Sequence, residues 1–265
     1  MFGITMAGSG GEFEAPGPNS FDFDAVPLFQ LGGLAVTKPM VQLLLGALVV
    51  FVFFYAAARR ASLVPGRLQF AGESAYGMVR NSIGRDIIGS HDFLRFVPYL
   101  VTLFFFILIN NAFASLPAIQ FPTFSRASMA YALAAVSWVI YNAVGIRKHG
   151  LLGYLKLQSV PSGVSPVMYP LLVPLEFFSN ILVRPVTLAL RLFANMFAGH
   201  LLLILFSTGG LFLLEYGGIG YVAGPLAWVL AIAISFLELL VQFLQAYVFT
   251  LLNAMYISGA LADEH

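Results

Sequence analysis

The chain has no cysteine and few charged residues, and these two deficits exclude several classes of protein. Only 9% of its 265 residues are Asp, Glu, Lys or Arg, whereas a soluble domain has about 25%. A scaffold held together by disulfides is excluded because there is no Cys. A net charge of +1 without a basic cluster argues against nucleic-acid binding, and a hydrophobic content of 60% argues against disorder. The composition therefore predicts a protein that lies in a lipid bilayer.

Several uncharged runs are long enough to cross a membrane. A helix needs about 20 apolar residues to span about 30 Å of hydrocarbon, and it satisfies its own backbone hydrogen bonds there. The polar–apolar alternation of an outer-membrane barrel is missing. We therefore predict an all-α, multi-pass membrane protein. The runs are Met40–Ala58, Phe96–Ser125, Ala127–Ile146, Leu157–Leu175, Tyr216–Leu237 and Leu239–Ala262.

The distribution of positive charge predicts how the spans are oriented. Most Lys and Arg residues lie in two loops, one between the first two spans and one after the third. The positive-inside rule places both loops in the cytoplasm. The simplest arrangement has about five spans, with the N-terminus outside and the C-terminus in the cytoplasm. The cations of these loops are Arg59, Arg60, Arg67, Arg80, Arg85, Arg95, Arg147, Lys148 and Lys156.

The chain divides into three predicted parts. Residues 1–38, rich in Gly, Pro and acids, lack a signal-peptide pattern and are expected to form an exterior tail. Residues 39–165 hold the first three spans and the segment Phe70–Ile88, whose mixed composition predicts an amphipathic helix at the inner membrane surface. Residues 166–265 are expected to form a long two-helix hairpin.

Ionisable side chains within the apolar sequence of this hairpin are the functional signal. They are Arg184, Arg191, His200 and Glu238. An arginine at the bilayer centre costs about 2.5–3.5 kcal/mol on insertion scales. Arg191 therefore indicates either a function or a structural ion pair. Arg184, which precedes Pro185, is explained equally well by a side chain that reaches the lipid head groups.

Polar residues of each hairpin helix fall on one narrow face at about 100° per residue. A polar face on a helix otherwise built from Leu, Phe, Val and Ala indicates water or a partner on that side. The first face holds Glu176, Asn180, Thr187, Arg191 and Asn195, and the second holds Glu238, Gln242, Gln245, Asn253 and Tyr256.

The two helices run antiparallel because a glycine-rich turn around Gly209–Gly210 and Gly217–Gly220 joins them. In an antiparallel pair, the residue numbers of two facing positions add up to a constant. The choice of one facing pair therefore determines all the others. The predicted facing pairs are Arg191 with Gln245, His200 with Glu238, and Asn180 with Tyr256.

The chemistry of these residues predicts a divided path for protons. His and Glu load and release protons, whereas an arginine keeps its proton and does not relay it. A polar path from each side, with Arg191 between them, describes two half-channels that do not join. Passage across the gap requires a mobile carboxylate supplied by something else, since this chain has no further acid at that depth.

Two segments of the chain resemble subunit a of the F-type ATP synthases: RPVTLALRLFANMFAGH at Arg184–His200 and FLELLVQFLQAYVFTLLNAMYISGALADEH at Phe236–His265. The resemblance covers essentially the whole chain and is strongest after residue 165. It implies a static proton-channel subunit in the bacterial plasma membrane, lying against a rotating c-ring and held by peripheral-stalk subunit b. It also implies no cofactor, no metal and no ATP chemistry on this chain.

The resemblance also assigns roles to individual residues. Arg191 matches the arginine of the R-L-F-x-N-M motif, Asn195 its asparagine, and Gln245 the glutamine of L-Q-A-[YF]. His200 and Glu238 occupy positions where the family keeps an acid–histidine pair, in either order. The other residues expected to serve proton translocation are Glu176, Asn180, Gln242 and Tyr256.

Other functions are open at this stage. An autonomous proton-coupled secondary transporter would use His200 and Glu238 as well, but it predicts broken helices and an internal duplication, and the sequence shows no repeat. An intramembrane enzyme needs a nucleophile with its base or a metal site, and there is no Cys, no H-E-x-x-H and no G-x-S-x-G. Sodium in place of the proton also fits the family.

The charge distribution makes a direct prediction about topology. An epitope tag at Met1 should be accessible on intact cells, and a tag at His265 only after permeabilisation, because both cationic loops are held in the cytoplasm. Antibody labelling of the two tagged chains measures this. Both tags on one side of the membrane would contradict an odd number of spans.

Overall fold

The computed structural model of the chain describes residues 29–31, 34–59, 62–116, 123–160 and 168–262. Five of its helices are long and apolar enough to cross a membrane, so the predicted all-α, multi-pass fold and the number of spans are confirmed. A short antiparallel pair of strands, β1 (Phe29–Leu31) and β2 (Leu34–Val36), precedes the first helix. Most of the predicted exterior tail lies outside the described residues.

Seven α-helices account for most of the described chain, and the fourth is broken at Gly150, whose φ of 73° and ψ of 166° are not helical. π-helical segments extend α2 over Arg80–Ile88 and join α5 to α6 over Ser179–Val183. As a result, α5 and α6 form one candidate span of 48 residues. The helices are α1 (Lys38–Arg59), α2 (Arg67–Val79), α3 (Phe93–Ser115), α4 (Ala127–Ser159), α5 (Tyr169–Phe178), α6 (Arg184–Tyr216) and α7 (Gly220–Leu261).

α3 forms the centre of the apolar core. Val97, Leu100, Phe104 and Ile107 on this helix are fully buried, and they pack in one cluster with side chains of α4, α6 and α7. One side of this apolar helix therefore packs against neighbouring helices, and the other side is left to face lipid.

The segment predicted as an amphipathic helix is helical throughout. Its α2 part and its π-helical extension share one buried side, while most of the other positions are exposed. This pattern is the one expected of a helix with one apolar face against the protein and one polar face toward water. The buried residues are Gly72, Val79, Ile83 and Gly84.

Two of the predicted boundaries are wrong. The run Leu157–Leu175 is not a span, because α4 ends at Ser159 and the next helix begins at Tyr169. Gly209–Gly210 is not part of the turn between the hairpin helices but lies inside α6. The chain reverses at Gly217 and Gly218, whose φ angles of 74° and 59° lie in the left-handed region that favours glycine.

Gly210 serves close helix packing instead. A Cβ atom there would lie 2.6 Å from the indole ring of Trp228 on α7. That ring is held in place because its Nε1 donates a hydrogen bond to the Ser207 carbonyl oxygen at 3.2 Å. Small residues of this kind let transmembrane helices approach closely.

Replacing this glycine should loosen the hairpin. Gly210→Ala should lower the free energy of unfolding by about 1–3 kcal/mol, because the added methyl group overpacks the contact with Trp228. Unfolding of the purified chain by sodium dodecyl sulfate in detergent micelles measures the change. Gly259→Ala is the matched control, since a Cβ at that helical glycine meets nothing within 4 Å. Equal shifts in both variants would contradict the packing role of Gly210.

Candidate functional site

The predicted pairing of His200 with Glu238 is present in the structure. His200 Nδ1 lies 3.7 Å from Glu238 Oε1, and the two side chains are only 13% and 5% exposed. The polar face of α7 is turned into the bundle, toward α6 as predicted and also toward α3, which the sequence did not predict. Of its members, Glu238, Gln242, Gln245 and Asn253 are buried, and Tyr256 is partly buried.

The predicted pairing of Arg191 with Gln245 is wrong by one helical turn. Asn195 Nδ2 donates a hydrogen bond to Gln245 Oε1 at 2.7 Å, so Gln245 takes its partner one turn beyond Arg191 on α6. Residues four apart share a helix face, which is why a pattern of polar positions fits two registers one turn apart. The hydrogen bond shows that Asn195 is the partner of Gln245.

The predicted pairing of Asn180 with Tyr256 is also wrong. Asn180 Nδ2 donates to the Gln158 carbonyl oxygen of α4 at 2.7 Å. Tyr256 instead faces Arg184, whose guanidinium carbon lies 5.2 Å from the centre of the tyrosine ring. Arg184 Nη1 also donates to Gln158 Oε1 at 3.5 Å. Arg184 thus has partners within the protein.

The π-helical segment Ser179–Val183 explains why the polar face predicted for the first hairpin helix is not continuous. A π turn takes up more residues than an α turn, so it rotates every residue before it relative to those after it. Glu176 and Asn180 therefore do not continue the face that carries Arg191 and Asn195. Glu176 is partly exposed on α5.

A contact from α4 stabilises this irregular segment. Pro185 has no N–H and cannot donate to the carbonyl group four residues earlier. That group belongs to Ile181, and it accepts a hydrogen bond of 2.9 Å from Trp138 Nε1. A buried carbonyl without a partner costs about 1–3 kcal/mol. The tryptophan thereby fixes the start of the helix that carries Arg191.

Neutral residues of α3 complete the site, and the sequence analysis missed them. Ser115 Oγ and the Gln242 amide lie against each other, with Gln242 Nε2 donating to Ser115 Oγ at 2.9 Å. Asn111 Nδ2 donates to the Gln242 carbonyl oxygen at 3.4 Å, and the Tyr99 hydroxyl donates to Asn253 Oδ1 at 3.3 Å. The signal was the pair of asparagines within an apolar run, which an inspection limited to ionisable residues passes over.

Further buried polar atoms lie on α1 and α3, near the end of α3 that carries Ser115. Within the described ranges, both amide atoms of Gln42 and the Oδ1 atoms of Asn110 and Asn111 have no protein hydrogen-bond partner. The same holds for Thr123 Oγ1. Buried groups of this type are satisfied by water when protein partners are missing. This end of the bundle is therefore suited to hydration.

Arg191 lies two turns into α6, near the middle of the candidate span Tyr169–Tyr216, and at the surface of the helix bundle. Its side chain is exposed, and so are the apolar side chains of Val186 and Leu190 on the same helix. No carboxylate of the described chain forms an ion pair with it; the acid of α7, Glu238, lies against His200. A cation facing hydrocarbon costs at least about 2.5–3.5 kcal/mol. This surface therefore requires water or a partner that supplies negative charge.

Comparisons with known proteins agree on one family. The family model for the ATP synthase A chain matches residues 40–258. The ATP synthase subunit a of a Nocardioides species is 63% identical, with 99% of this chain and 98% of that protein covered. The subunits of the same name from Pseudarthrobacter chlorophenolicus and Streptomyces lividans are 49% and 40% identical, each with 96% of this chain covered and with 96% and 89% of those proteins covered.

Proposed function

The chain belongs to the ATP synthase A chain family, and we propose that it is the stator subunit that conducts protons past the c-ring of a bacterial F-type ATP synthase. The observation that carries the proposal is the exposed guanidinium of Arg191 at mid-span among exposed apolar residues. Such a surface is suited to a partner that brings a carboxylate to the same depth.

The partner that fits is the ring of c subunits, whose carboxylates carry the protons. A protonated carboxylate is neutral and faces lipid at low cost, whereas an ionised one does not. Arg191 pairs with the ionised form and keeps its own proton. It thereby separates the two paths and favours ionisation of each carboxylate that reaches it.

The outer half-channel is assigned to the His200–Glu238 pair and the neutral groups around it. The pair holds and releases protons, and the nearby Gln242–Ser115 contact and the buried amide atoms of Gln42 and Asn110 support a hydrated route to it. Asn195 and Gln245, joined by a hydrogen bond of 2.7 Å, separate this pair from Arg191 along the hairpin.

The inner half-channel is assigned to the polar groups on the other side of Arg191. They are Glu176, Asn180 and Tyr256, with Arg184 over the tyrosine ring. A carboxylate and hydroxyl and amide groups offer acceptors and donors for a proton leaving the ring. The positive-inside rule puts this end in the cytoplasm, together with the C-terminus, and puts the N-terminus outside.

The chain's part in the complex is conduction, with ATP chemistry on other subunits and peripheral-stalk subunit b holding it in place. Proton flow down its gradient turns the ring past Arg191 and drives ATP synthesis. Reverse rotation, driven by ATP, pumps protons outward through the same groups.

Replacing Arg191 tests the separation of the two paths. Arg191→Ala should abolish proton-driven ATP synthesis and raise passive proton leak, because the fixed positive charge is lost. Arg191→Lys should support little proton-driven ATP synthesis, since an ammonium group lacks the planar donor fork of a guanidinium and loses its proton more easily when desolvated. Membrane vesicles with matched amounts of complex measure synthesis and leak.

Arg184→Ala is the control, because it removes the same charge seven positions earlier on the chain, where Tyr256 and Gln158 are the partners. It should lower synthesis far less than Arg191→Ala. Near-normal coupling in Arg191→Ala vesicles would overturn the proposal.

Exchanging the acid and the histidine tests the outer pair. The double variant His200→Glu with Glu238→His keeps both groups across the same contact, so it should retain clearly more proton-driven synthesis than either single change. Each single variant leaves two like groups facing each other, which disturbs proton loading of a coupled pair. Synthesis rates are compared at equal complex content. A double variant no better than the worse single variant would show that the two residues act independently.

A further inference from the structure

A cavity of about 690 Å³ lies at one end of the helix bundle, and none of the residues assigned to the half-channels lines it. The start of α3, the middle of α4 and the end of α7 enclose it. Its lining is divided between charged residues and apolar residues of the spans. The lining residues are Asp92, Arg95, Phe96, Val144, Arg147, Lys148 and Leu261.

The charged part of the lining is predominantly positive. Among the described residues that line it, there are three cations, Arg95, Arg147 and Lys148, and one acid, Asp92. Asp92 lies 3.6 Å from the imidazole of His91, and Lys148 donates to the carbonyl oxygen of Leu261, at the end of α7. The two arginines come from different helices and are both exposed, so their donor forks are available to an anion between them.

The apolar part of the lining distinguishes an amphiphile from a simple anion. Phe96, Val144 and Leu261 belong to the membrane-spanning helices, so the cavity opens where the hydrocarbon region meets the charged boundary. Its volume lies within the range of about 300–1,000 Å³ typical of small-molecule sites and far exceeds the space needed by an inorganic anion. Basic pockets between transmembrane helices bind phospholipid head groups.

We propose that this cavity binds the phosphate group of an anionic phospholipid, with Arg95 and Arg147 holding the phosphate oxygens and the wall formed by Phe96, Val144 and Leu261 contacting the first part of an acyl chain. A bound lipid here would bridge α3, α4 and α7. The site is separate from the residues assigned to proton transfer.

The test is a titration of the full-length chain in detergent micelles with fluorescent phosphatidylglycerol, and with phosphatidylcholine of the same chains for comparison. The double variant Arg95→Gln/Arg147→Gln should bind phosphatidylglycerol about tenfold or more weakly, since each cation near a lipid phosphate contributes roughly 1 kcal/mol. Arg95→Lys/Arg147→Lys should keep most of the binding, because it keeps both charges. If the lysine variant binds and the glutamine variant does not, the weaker binding is due to the lost charge and not to unfolding.

Arg67→Gln/Lys156→Gln is the matched control, since it removes two exposed cations that do not line the cavity. This control should change the dissociation constant less than about twofold. Equal weakening in the control and in the cavity variant would assign binding to diffuse surface charge and overturn the proposal. Equal affinity for phosphatidylcholine would also overturn it. Displacement of phosphatidylglycerol by millimolar inorganic phosphate would assign the pocket to a soluble anion and overturn the lipid assignment.

Discussion

A single positive charge at mid-membrane is the constraint on which the arrangement of the hairpin depends. Arg191 faces outward from α6 among apolar side chains, and the free-energy cost of such a charge is tolerable only if a second molecule covers it. The acid of α7, Glu238, is buried and lies against His200. The two ionisable side chains thus differ in their surroundings: Arg191 is exposed, and Glu238 is buried against His200.

Holding that arginine in place requires more than a regular helix. Pro185 interrupts the hydrogen-bond pattern, the π-helical segment Ser179–Val183 changes the direction of the side chains before it, and Trp138 from α4 satisfies the carbonyl left without a donor. Asn195 bonded to Gln245 then fixes the register of α6 against α7. Each of these contacts is short in range, but together they determine which side of α6 faces the lipid.

The sequence was sufficient for the features that depend on composition and uninterrupted periodicity. Scarce charge predicted the spans, and the polar face of α7 was predicted because Glu238 to Tyr256 lies in one continuous α-helix. Prediction failed where the backbone departs from 100° per residue, as between Asn180 and Arg191. It also failed where glycine serves two purposes: Gly210 and Gly217 look alike in sequence, yet one permits close packing and the other a left-handed turn. The neutral partners on α3, such as Ser115, carry no charge and gave no comparable signal.

The length of α7 has a consequence for how the protein sits in the bilayer. Its 42 residues extend over about 63 Å at a rise of 1.5 Å per residue, roughly twice the 30 Å thickness of the hydrocarbon region. A helix of this length stays within that layer only if its axis leans about 60° from the membrane normal, far beyond the usual tilt of about 20°. Its two ends are then displaced sideways by tens of ångströms. In the proposed proton path, water entering the hairpin from opposite sides of the membrane then arrives at laterally distant points, and neither half-channel has to cross the full depth of the bilayer.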